Sequence, residues 1–98
     1  MNTQSENFEG QIRAKLSRLS PAVIELDNET IHHKGHVGAA SGGGHYRLFI
    51  VAEAFGGQSK VARHRLVYEC LNELMGSHIH ALAVQAHTPD EITHLFKG

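Results

Sequence analysis

A chain of 98 residues with 41% apolar composition can bury one modest core, so one domain over residues 1–98 is expected, with 1–8 a flexible N-terminal segment. Nine Lys plus Arg against ten Asp plus Glu leave a net charge of −1, and no global field draws nucleic acid to the surface. No apolar run approaches the roughly 20 residues that span a bilayer, the opening MNTQSENFEG is unlike a signal peptide, and the single cysteine, Cys70, excludes an internal disulfide. A cytoplasmic chain with no membrane association is the expectation.

In chain order, Phe8, Ile12, Leu16 and Leu19 form one stripe of an amphipathic helix, which Ser20-Pro21 ends. "AVIELDN" alternates, with Ile24 and Leu26 on one side and Glu25 and Asp27 on the other, and reads as a first strand. A long loop follows, "IHHKGHVGAASGGG", rich in histidine and glycine. "HYRLFIVAEAF" is the second strand, and its run from Leu48 to Val51, apolar on both faces, suits a central or doubly covered position.

"GGQS" breaks the chain and offers Ser59 as an N-cap. From Lys60 to Met75 the spacing predicts a helix that buries Leu66, Val67, Cys70, Leu71 and Leu74 and stops at Gly76. "IHALAVQA" is a third strand, with His80, Leu82 and Val84 on one face. "TPDE" is a capping box with Pro at the first helical position, and it opens a short last helix carrying Ile92 and Leu95. The order α-β-β-α-β-α gives an α+β domain: a three-stranded mixed sheet with an antiparallel first pair and a right-handed parallel crossover between the second and third strands.

No enzyme constellation assembles. Neither Ser41 nor Ser59 sits in a nucleophile elbow, "GAASGGGH" lacks the ending of a phosphate-binding loop, and Cys70 lies within the buried arc of its helix. Nine histidines are the compositional outlier. His32, His33 and His45 flank or line the loop and read as solvated or locally paired; His78, His87 and His94 read as surface residues, and His64 as a boundary residue. His80 opens a strand at the core edge, either satisfied by the backbone or held there as a ligand. Arg63 falls near the centre of the apolar arc, either closing over its own core edge or joining Lys60, Arg65 and Arg47 in a small basic patch.

"GHVGAASGGGHYRLFIVAEAF", "VARHRLVYECL", "IHALAVQAHTPDE" and the opening "IRAKLSRLSPAVIELDNET" resemble the BolA family, in its order, from about residue 9 to residue 96. The resemblance implies a fold like a class II KH domain. It also implies a non-enzymatic adaptor, without a small-molecule substrate, that pairs with a monothiol glutaredoxin and shares a 2Fe–2S cluster with it, the partner bringing a cysteine and bound glutathione. The family's two cluster ligands on this side fall on His80, in "IHAL", and on His36, nine positions before His45. One departure is Gly56 in "AFGGQS", where the family often has an acidic residue.

Imidazole can replace thiolate at one iron of such a cluster, and a chain whose only cysteine is buried needs a partner to supply thiolates. The alternative is a DNA-binding transcriptional regulator, with Lys60, Arg63 and Arg65 on phosphates. Against that, "FGGQSK" lacks the Gly-x-x-Gly of a nucleic-acid-clamping loop, and three cations give only weak, salt-sensitive binding. A zinc site made of His36 and His80 alone is the third reading, disfavoured by the lack of an acidic or thiolate ligand.

Overall fold

The computed structural model describes residues 3–29, 44–76 and 78–96. The order is α1 (Thr3–Leu16), β1 (Val23–Asn28), β2 (Gly44–Val51), α2 (Lys60–Cys70), β3 (Ile79–His87) and α3 (Pro89–Phe96), the α-β-β-α-β-α expected. The sheet order is β1-β2-β3, with β1 antiparallel and β3 parallel to β2, so β2 is indeed central.

Helix α1 begins at Thr3, ahead of Phe8 where the apolar stripe starts. Ile12 and Leu16 are fully buried, with Phe8 and Leu19 packed against them. The helix tightens into a 3₁₀ turn at Ser17–Leu19 and stops at Ser20, whose φ of 50° is left-handed and whose N–H bonds Ser17 O at 2.9 Å. Leaving the α region here aims the chain into β1.

Register aligns the buried side chains in rows across the sheet: Leu26, Leu48 and Val84, then Ile24, Ile50 and Ala86. These rows belong to the core that α1 and α2 also fill with Ile12, Leu16, Val67, Cys70, Leu71 and Leu74. The opposite face carries Asp27, Arg47 and Ala83 in one row and Glu25, Phe49 and Gln85 in the next. The period-2 pleat thus sorts the charges to one side.

Strand β2 ends at Val51, before the "AEAF" that the sequence pattern assigned to it. Glu53–Phe55 forms a 3₁₀ turn instead, which swings Phe55 into the core at 0% exposure. In the following turn Gly57 has φ 73°, which favours glycine, whereas Gly56 sits at φ −61°, a dihedral any residue adopts, though a Cβ there would stand 3.3 Å from Glu53 O. The departure at position 56 therefore leaves the backbone of this turn intact. Ser59 caps α2 as expected, accepting from Ala62 N at 3.1 Å.

The predicted helix to Met75 is shorter in the structure, because Leu71 leaves helical geometry (φ −101°, ψ 11°). Tight turns carry on to Gly76, whose φ is 87°. Leu71 and Leu74 stay buried all the same, so the apolar arc is satisfied without continuous helix.

The capping box forms in both directions: Thr88 N donates to Glu91 Oε1 at 3.0 Å, and Glu91 N donates to Thr88 Oγ1 at 3.3 Å. Glu91 also receives both terminal nitrogens of Arg63, at 2.8 and 2.9 Å. These bonds, the Arg63 pair first, hold its carboxyl down at about 2. Since the folded pKa is depressed, the contribution is present above the unfolded value and is lost as pH falls toward about 2. Glu91→Gln should lower the melting temperature at neutral pH and flatten its decline below about pH 4.5, as thermal scans across pH 2–7 would reveal. A variant as acid-sensitive as the parent would refute this role.

No helix among the described residues is long and apolar enough to cross a membrane.

Candidate functional site

The parallel crossover sets the first residues of β2 and β3 side by side. Gly44 pairs with Ile79, but the next residue, His45, pairs with Ala81, so His80 is an extra residue in a bulge. This corrects the expectation that His80 shares the face of Leu82 and Val84. The bulge sends Ile79 into the core, fully buried, and leaves His80 exposed, outside the core edge where the alternation had placed it. The His80 ring lies 5.2 Å from the His45 ring, tilted by 38°.

His45, expected to be solvated or locally paired, is half-buried and forms the other half of this imidazole pair. The available signal was topological: a strand-helix-strand crossover brings the starts of parallel strands together, and each of these strands has a histidine as its second residue. His36, the other expected ligand, lies outside the described residues, as do His32 and His33.

At this end of the sheet His78 also packs its ring against Phe8, at 4.6 Å. Tyr46 stands behind, 6.2 Å from Phe8, and burial followed by the charge of Glu9 pushes its phenol up. Phe8 thus ties α1 to this end of the sheet through Tyr46 and His78. Among the described residues no three His, Cys, Asp or Glu side chains converge on a common point.

Cys70 is buried, as expected, and burial raises its thiol pKa, with Glu69 adding to the rise and Arg18 opposing it. It is neither exposed nor activated for metal binding.

The basic residues do not gather as one patch. Lys60 and Arg65 are exposed on α2. Arg63 closes over its own core edge: its side chain is 12% exposed, Nε donates to Gln58 O and Nη1 to Ala86 O, both at 3.0 Å, and the fork holds Glu91. A phosphate would have to displace that carboxylate. Arg47 lies on β2 and pairs with Glu29 at 3.3 Å.

A family-wide sequence profile described as "BolA-like protein" matches residues 16–91. The chain is 48% identical over 82 residues to BolA-like protein 1 of Mus musculus, covering 83% of this chain and 58% of the mouse protein. It thus spans little more than half the length of that curated relative. It is 38% identical over 81 residues to the DNA-binding transcriptional regulator BolA of Vibrio cholerae, covering 82% of this chain and 74% of that one. Among solved structures, the BolA domain of SufE1 from Arabidopsis thaliana superposes with a TM-score of 0.71 at 40% identity, covering 84% of this chain and 92% of that domain.

Proposed function

The chain belongs to the BolA family, and from that premise we propose that it is a non-enzymatic adaptor in iron–sulfur and iron homeostasis, joined to a monothiol glutaredoxin through a shared 2Fe–2S cluster. The observation that carries the reading is the exposed imidazole of His80, held out by a bulge at the start of β3 while the chain's one thiol is buried. A donor set with an accessible imidazole and no accessible thiolate fits one side of a mixed-ligand centre and not a whole site. His80 and His36 would offer nitrogens to one iron; the glutaredoxin cysteine and its glutathione would offer sulfur to the other. A centre with imidazole at one iron has a higher reduction potential than an all-thiolate one. A reducing, cytoplasmic setting is part of this proposal.

Anaerobic mixing with a cluster-loaded monothiol glutaredoxin and glutathione tests the reading. We expect a heterodimer on size exclusion whose visible circular dichroism differs from that of the glutaredoxin alone. A stable coloured homodimer formed by this chain without a partner would sink the proposal.

The name of the Vibrio relative supports a second reading, direct DNA binding. With Arg63 engaged by Glu91, Lys60 and Arg65 are the α2 cations left for phosphates. Two such contacts predict a slope of log K against log salt no steeper than about −2. Fluorescence anisotropy with labelled duplex across a salt series measures it, and replacing Lys60 and Arg65 together by alanine should remove the binding. Tight, sequence-selective binding at physiological salt would put this reading first.

A further inference from the structure

We propose that His45 and His80 form a preformed two-imidazole site for a single borderline divalent cation, of the Zn²⁺, Ni²⁺ or Cu²⁺ kind, which the chain binds without a partner. The spacing carries the inference. On one tetrahedral metal with Zn–N bonds of about 2.0–2.1 Å, two imidazole ring centres stand about 5 Å apart, and the rings of His45 and His80 stand 5.2 Å apart. His45 stands in the paired register of β2, which fixes one ligand, and the bulge at the start of β3 holds His80 beside it.

Two further features separate this from ordinary ring packing, for which 5.2 Å and a 38° tilt would also serve. The bulge leaves His80 unpaired in the register and exposes it, opening coordination positions to water. Imidazole is a ligand that this class of cation prefers, and each ring can bind metal through one nitrogen while the other keeps a hydrogen bond. With no acidic or thiolate ligand converging on the pair among the described residues, water fills the remaining positions and the ion is held more loosely than in a closed structural zinc site. The site shares His80 with the cluster reading but stands without it, since no glutaredoxin enters the binding step.

The test is a Zn²⁺ titration of the full, untagged chain at pH 7.5, followed by calorimetry and by the imidazole NMR resonances. We expect one ion per chain, with the His45 and His80 ring signals shifting together to saturation, alone or with other histidines. His80→Ala should weaken binding tenfold or more; the residue is exposed, so the fold should survive. His64→Ala, on α2, should bind like the parent. The parent spectra make the assignment even if a His45 variant fails to fold. The proposal is overturned if Zn²⁺ saturates the chain while either the His45 or the His80 signal stays in place, if His80→Ala keeps parental affinity, or if no Zn²⁺ binds. Because no partner is present, these outcomes leave the heterodimer test unaffected.

Discussion

His80→Ala should abolish the cluster-bridged complex with a monothiol glutaredoxin, or leave it so labile that it does not survive size exclusion. His80 is exposed, so the substitution should stay within about 0.5 kcal/mol of parental stability, and the loss would then report ligation and not unfolding. His36→Ala should instead shift the visible spectrum and speed transfer to an acceptor without preventing formation. Its segment joins β1 to β2, and another ligand can take its place there. His33→Ala should behave as the parent does. Visible circular dichroism of the three variants, each mixed anaerobically with the same loaded partner, ranks them. If His33→Ala matters more than His80→Ala, the ligand assignment is wrong.

The largest effect on stability is expected at Phe55. It is the largest fully buried side chain among the described residues, and it reaches the core from a 3₁₀ turn between β2 and α2. Truncation to alanine removes a whole ring from a packed space and leaves a cavity, which costs about 3–5 kcal/mol. A domain of this size has only about 5–15 kcal/mol in total, so Phe55→Ala should lose much of its resistance to urea. Val61→Ala is the contrast: Val61 is 59% exposed on α2, and its loss should cost less than about 0.5 kcal/mol. Urea midpoints for the two variants decide the matter, and equal midpoints would mean that the core has been misplaced.

What could be read in advance was local. The Phe8–Leu19 stripe, the Ser59 cap and the Thr88–Glu91 box each lie within a few residues of chain, where helical spacing and capping chemistry leave little freedom. The site was only half legible. His80 stood out because it opens an apolar strand, but its direction depends on a bulge, and a one-residue shift of register sends a side chain elsewhere. The partnership of His45 with His80 needs strand pairing across 35 residues of sequence. Arg63 was legible as an oddity in the apolar arc; that Glu91, 28 residues later, would take both its terminal nitrogens was not. No periodicity encodes such a meeting.

The same guanidinium has a consequence for how copies of the chain treat one another. Strand β3 is a sheet margin, and its carbonyls at Leu82 and Ala86 accept from the Tyr68 hydroxyl at 3.3 Å and from Arg63 at 3.0 Å. On the other margin, Ile24 O of β1 accepts from Arg13 at 3.3 Å. An open margin is a template on which a foreign strand can lay itself down, the first step toward aggregates. Here helix side chains reach over both rims and take up acceptors that an incoming backbone would need. Crowded solutions should therefore test these three donors before they test the core, because a chain stripped of them would keep its fold and still offer its neighbours a place to grow.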